Sequence, residues 1–133
     1  MDLKSTKGAA YNINYHLVWC PKYRRKILVD GIATRLTELF KEIAQKWGVQ
    51  IIAQEVMPDH VHLFISAPPK YSPSKLAQLF KGTTSYVLRL EFPEVKKVIY
   101  KAGMLWSPGY YVGTAGNVSA ATIRKYIEEC QKI

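Results

Sequence analysis

Cysteine and acidic residues are both scarce in this chain. Its two cysteines, Cys20 and Cys130, stand far apart in no CxxC or zinc-finger spacing, which argues against a disulfide-stapled secreted fold and for two reduced thiols. Asp and Glu number 10 against 19 Lys and Arg, a formal charge of +9. An excess that large points to a polyanionic partner, nucleic acid before an anionic membrane surface. No segment approaches the ~20 apolar residues of a membrane span, and Met1-Asp2-Leu3-Lys4-Ser5-Thr6-Lys7 leads into no apolar signal core. A soluble cytoplasmic protein is expected. Also missing are a GxxxxGK[ST] phosphate loop, a GxGxxG turn and a GxSxG elbow, so nucleotide hydrolysis, dinucleotide chemistry and serine hydrolysis lose support.

What is present suffices for one folded domain over 1–133. Of the 133 residues 48% are hydrophobic and 12% aromatic, and there is no internal repeat, low-complexity tract or flexible linker. From Tyr11 to Cys20, Ile13, Tyr15, Leu17 and Trp19 alternate with Asn12, Asn14 and His16 in the period of a half-buried strand, which Pro21 stops. Leu36, Leu39, Phe40, Ile43 and Trp47 then recur at helical spacing from Ile32, and Gly48 stands where a C-terminal cap belongs. Val49–Val56 and His60–Ser66 read as a hairpin turned at Met57-Pro58-Asp59. Ser72-Pro73 caps and starts a second helix, marked by Leu76, Leu79, Phe80, Val87 and Leu90 and ending before Pro93. The stretch 94–108 gives no clear pattern. Gly109–Ala115 suggests a short last strand, and Ser119 a cap for a helix running to Ile133.

The resulting order, βαββαβ plus a C-terminal helix, predicts an α+β fold of the ferredoxin-like kind. Its antiparallel sheet has strand order 4-1-3-2 and carries two helices on one face. Strands one and three, which carry all three histidines, are then central neighbours. On the third strand His60 and His62 share a face with Phe64 and Ser66, whereas Val61, Leu63 and Ile65 point the other way. Only the second set is apolar enough to lie under helices, so the imidazoles belong to the open face. There they are either two solvated histidines or a pair able to chelate one cation. His16 falls on the same face and reads as a hydrogen-bonded packing residue rather than a ligand. On the last helix Ile123, Tyr126, Ile127 and Cys130 form one stripe. Tyr126 is thus a seam residue or a phenol nucleophile for a phosphodiester, and nothing in the spacing selects it over the other tyrosines.

Lys22-Tyr23-Arg24-Arg25-Lys26 mixes cations with an aromatic ring, a composition suited to phosphate contact and base stacking as well as to a solvated loop. Lys75, Gln78, Gly82, Ser85 and Arg89 line the polar side of the second helix without an acidic residue. Lys22, Arg24, Arg25, Lys75, Lys81 and Arg89 are the candidate phosphate contacts, with Tyr23 as the stacking ring. Gly82, costly inside a helix, would permit close backbone approach by a ligand or another helix.

Four blocks, taken together, resemble a known family. They are His16-Leu17-Val18-Trp19 with Pro21-Lys22-Tyr23-Arg24-Arg25; Met57-Pro58-Asp59-His60-Val61-His62-Leu63; the run from Trp106 to Ser119; and Thr122-Ile123-Arg124-Lys125-Tyr126-Ile127-Glu128. In this order, over nearly the whole chain, they are similar to the small single-tyrosine HUH transposases (TnpA) of prokaryotic insertion sequences. The resemblance implies a homodimeric, metal-dependent DNA strand transferase. Such an enzyme recognises hairpins at element ends in single-stranded DNA and cuts through a 5′-phosphotyrosine ester, which a 3′ hydroxyl later attacks. By position it makes His60 and His62 the metal ligands, Tyr126 the nucleophile and Mg2+ (or Mn2+) the ion. Relatives commonly carry a third-ligand glutamine four residues after the tyrosine, where this chain has Cys130. A thiolate favours softer ions than Mg2+, so Gln131, one residue on, or water is expected to fill the role. Two other readings remain at this stage, a non-catalytic single-stranded nucleic-acid-binding module and a host-retained relative that processes palindromes.

Overall fold

The computed structural model describes residues 4–6, 9–114, 125, 126, 128 and 129. Four strands, β3 (Asn14–Trp19), β4 (Gln50–Met57), β5 (His60–Ser66) and β6 (Tyr111–Thr114), form one antiparallel sheet in the order β4-β5-β3-β6. Counted within that sheet this is the expected 4-1-3-2 order. Pro58 and Asp59 form the two-residue turn joining β4 to β5, with Met57 paired to His60. A register shift between Ile51 and Ala53 turns Ile52 outward.

Alternation along β3 and β5 divides the sheet. Leu17, Trp19, Val61, Leu63 and Ile65 are buried in one cluster with Leu36, Phe40, Leu76 and Phe80 from two helices, α1 (Asp30–Trp47) and α2 (Pro73–Glu91). Aromatic edges lock the centre, Trp19 lying 5.7 Å from Phe40 and 5.9 Å from Trp106. Both helices carry the signals expected of them: Gly48 caps α1 in the left-handed conformation at φ 68°, and the Ser72 hydroxyl accepts the Lys75 N–H at the start of α2, with Pro73 in its first turn.

Three elements were not expected from the sequence. Residues 94–108 include a third helix, α3 (Pro93–Ala102), which begins at once after α2. Phe92 caps both helices, so Pro93 is a start as well as a stop. Near the N-terminus β1 (Lys4–Thr6) pairs with β2 (Ala9–Tyr11) as a separate two-stranded sheet. Three-residue strands are too short for alternation to register. The last strand is shorter than the expected Gly109–Ala115, of which Ala115 lies outside the described residues. Residues 125, 126, 128 and 129 are helical, as expected. The proposed cap Ser119 and the rest of that helix lie outside the described residues.

Candidate metal and nucleic-acid site

On the uncovered face, cross-strand pairing sets His62 opposite Val18 and Val18 opposite Tyr111, while His16 faces Phe64 on one side and Gly113 on the other. The His60 and His62 rings stand 4.9 Å apart at 76°. Each has its Nδ1 engaged. His60 Nδ1 lies 2.8 Å from Asp59 Oδ1, and Arg24 Nε donates to Asp59 Oδ2 at 2.6 Å. His62 Nδ1 lies 3.0 Å from His16 Nε2. Engaging Nδ1 leaves Nε2 as the nitrogen available to an ion, the usual arrangement of metal-binding histidines.

The electrostatics favour ligands that are ready at neutral pH. Burial and the neighbouring His60 charge push His62 below its ordinary pKa, against the opposing influence of Glu55 across the β4–β5 ladder. His16, stacked 3.9 Å from Phe64, is lowered to about 4 by burial and by His62. Burial alone would raise Asp59, but the hydrogen bonds from His60 and Arg24, with the Arg24 charge, outweigh it and hold the carboxyl below its ordinary value. Protonation of His16 and of His62 is thus disfavoured, and the Asp59 carboxylate is ionised and already occupied.

The loop after β3 delivers Arg24. Its backbone is tied to the segment before β6, Lys22 N–H donating to Leu105 O and Ser107 N–H to Cys20 O, each at 2.8 Å. Tyr23 and Arg24 both take left-handed backbone angles, φ 60° and 53°. Such conformations cost roughly 1–2 kcal/mol per residue, and strain of this kind persists where the surroundings enforce it. Here it aims Arg24 inward at Asp59 and leaves the Tyr23 ring 51% exposed, with Lys22 Nζ at 5.4 Å and Arg25 at 6.0 Å from its centre.

The sequence-predicted residues therefore fall into separate groups. His60 and Arg24 come together through Asp59, and His62 stands beside His60. Tyr126 has its ring 6.5 Å from Tyr111, whose own ring lies 6.3 Å from His16, so the tyrosine approaches the same face. Lys75 and Arg89 project from α2 in the helical layer, where Arg89 lies 5.8 Å from the exposed Tyr86 ring. Lys81 ties down the loop before β6, donating to Ser107 O at 2.8 Å and Gly109 O at 2.6 Å. Cys130 and Gln131 lie outside the described residues. Sequence reasoning did not single out Asp59, Tyr111 or Phe64. For Asp59 the signal was available, a carboxylate directly preceding the histidine pair.

An ion fits this place as a two-histidine half-site. Among the described residues no group of three His, Cys, Asp or Glu side chains is arranged to hold a metal, so remaining positions fall to oxygen donors from water, a phosphate or another part of the chain. Two imidazoles on an open sheet face beside a tyrosine and a basic loop are groups that phosphodiester chemistry can use. Residues 9–130 match the family model described as IS200-like transposase, and the chain belongs to that family. It is 37% identical over 128 residues to the ISDra2 transposase TnpA of Deinococcus radiodurans, covering 96% of this chain and 91% of that one. It is 32% identical over 127 residues to the transposase for insertion sequence element IS200 of Salmonella typhimurium, covering 96% and 82%. A Deinococcus radiodurans R1 crystal structure, described as that of a candidate transposase, superposes with a TM-score of 0.87 at 36% identity, covering 96% of this chain and 97% of that one. A REP-associated tyrosine transposase bound to a REP hairpin shares the fold, with a TM-score of 0.53 at 15% identity over 93% of this chain and 69% of that one.

Proposed function

We propose that this transposase cuts and rejoins single-stranded DNA at hairpin-bearing element ends through a 5′-phosphotyrosine ester on Tyr126, using a divalent ion held by His60 and His62. The observation that carries this is the paired engagement of the two Nδ1 atoms by Asp59 and His16, which presents both Nε2 atoms on the open face that Tyr111 and Tyr126 approach. Hairpin DNA is the proposed substrate, in line with the hairpin-bound transposase that shares the fold, and a homodimer is the proposed working unit. Gln131 is the proposed third protein ligand.

A bound Mg2+ or Mn2+ would polarise the scissile phosphate and offset the charge developing on its oxygens. Tyr126 supplies the nucleophile: its phenol oxygen forms a bond to phosphorus, the bond from phosphorus to the 3′ oxygen breaks, the phenol proton passes to solvent and the departing oxygen takes a proton from solvent to leave as a 3′ hydroxyl. Attack by a 3′ hydroxyl on the ester reverses each of these changes and restores the phenol. Ester energy is kept throughout, in accord with the absence of a nucleotide-binding loop. Lys22, Tyr23 and Arg25 contact the strand beside the histidines, with Lys75 and Arg89 as outlying phosphate contacts. Arg24 and Lys81 have structural partners of their own and act on DNA mainly by shaping the loops that carry it.

The test is a denaturing gel after incubation of end-labelled hairpin DNA with the protein and Mg2+. Wild type is expected to give a covalent adduct and Tyr126→Phe none, with hairpin binding kept. An undiminished adduct from the variant would overturn the assignment. No metal-dependent cleavage by wild type would favour a binding module instead.

A further inference from the structure

His16 is the one histidine that the chemistry above leaves without a reacting role. It is 2% exposed, lies face to face with Phe64 and is central in the sheet, opposite Gly113. Burial, an aromatic stack and a neutral ring would all be met by phenylalanine. What phenylalanine lacks is an acceptor for the 3.0 Å contact that His16 Nε2 makes with His62 Nδ1.

The two metal-candidate histidines differ in how firmly that contact fixes them. Asp59, held ionised, can only accept, so the His60 proton must sit on Nδ1. His62 has no such guarantee, because a neutral histidine neighbour can donate or accept. Left alone, a neutral imidazole side chain favours its proton on Nε2, the position an ion needs. Someone must accept the His62 Nδ1 proton for Nε2 to carry a bare lone pair.

We propose that His16 is a positioning residue for the metal site: in the ion-bound protein its Nε2 accepts a hydrogen bond from His62 Nδ1, fixing the His62 tautomer whose Nε2 binds metal. This rests on the metal reading of His60 and His62 given above. Accepting at Nε2 forces the His16 proton onto Nδ1, and that atom is buried without a hydrogen-bond partner among the described residues. An unpaired buried donor is unfavourable, so the arrangement opposes itself until an ion compensates. Any side chain that places an accepting atom opposite His62 Nδ1 supplies the same support. Glutamine does so with its amide oxygen, while its NH2 replaces the Nδ1–H donor of His16.

Mn2+ alone, titrated by electron paramagnetic resonance, measures the consequence without any cleavage. Loss of a supporting partner to a metal-binding histidine typically weakens affinity about 10–100-fold, which is the expectation for His16→Phe, whose ring keeps the stack with Phe64. His16→Gln is expected to stay close to wild type. On Mg2+-saturated wild type, long-range 15N–1H correlation spectra should put the protons of His16, His60 and His62 all on Nδ1, a readout that stands even where a variant fails to fold. A proton on Nε2 of His16 in that spectrum, or His16→Phe binding Mn2+ as tightly as wild type, overturns the proposal. If His62→Ala abolishes Mn2+ binding while His16→Phe does not, only this inference falls; if His60→Ala and His62→Ala both bind normally, the metal reading falls with it.

Discussion

The two faces of the sheet are built from the same strands and share almost nothing else. On one, Leu17, Trp19, Val61, Leu63 and Ile65 meet the helices, the Trp19 indole nitrogen being the one polar atom among their side chains. On the other, one residue along in each strand, His16, His60 and His62 meet Asp59, Phe64 and Tyr111 through directed contacts at fixed atoms. The first face gains stability in proportion to area and tolerates any shape that fills it. The second depends on which nitrogen holds a proton. Stability and chemistry are thereby separated by the two-residue period of a strand, and single substitutions should move one with little effect on the other.

The largest effect on stability is expected from the covered face. Leu63 is fully buried and stands between His62 and Phe64 in sequence, yet points away from them. Leu63→Ala should lower the unfolding free energy in urea by about 2–5 kcal/mol, the usual range for a truncated core leucine. Mn2+ affinity of the folded fraction should be unchanged. A loss of affinity without a loss of stability would mean that the faces are coupled.

A middle-sized effect belongs to the open face and depends on pH. Unfolded His16 takes up a proton near 6.5 and the folded protein holds it to about 4. Between those values the unfolded chain binds more protons, so stability falls as pH falls through this window and levels out below it. At about 1.4 kcal/mol per unit the contribution is about 3 kcal/mol. His62, also lowered, acts in the same direction, whereas Asp59, held below its ordinary 3.8, acts only under more acid conditions. In chelator, urea unfolding of wild type from pH 7 to pH 4 should show this loss, and His16→Gln should remove most of it. An equal slope in the variant would assign it to other groups.

How much of this was legible beforehand follows the same division. Periodicity recovered β5 to the residue and placed His60 and His62 on the uncovered face, because a strand's faces are local facts. Order of elements recovered the sheet topology. It missed α3, although Val95, Ile99 and Ala102 recur there at helical spacing, because the start of this short helix coincides with a proline that ends α2. The supports of the histidines were not legible either. Arg24 reads as a phosphate contact until two left-handed residues turn it onto Asp59, 35 positions away, and His16 meets His62 across 46. Such contacts are set by cross-strand register and loop strain, which composition does not encode.

The smallest effect concerns α2, where the same contrast of faces recurs. Leu76, Phe80, Thr84 and Leu88 are buried on one side. On the other, Gly82 is exposed and a Cβ built there meets nothing within 4 Å. Packing does not require this glycine, and its backbone angles are not of the kind that favours one. An alanine should therefore stabilise the helix by about 0.8–1 kcal/mol, read as a small rise in the urea midpoint with unchanged Mn2+ affinity. Gly82 borders an open groove of about 490 Å³ shared with Gln78, Gly109 and Tyr110. A methyl group would project toward that space, so Gly82→Ala also asks whether the groove is used. A gain in stability together with weaker binding of single-stranded DNA would assign the groove to the strand. A gain in stability alone would leave the glycine without a role in binding, and a loss of stability would show that the helix needs its backbone freedom at this point.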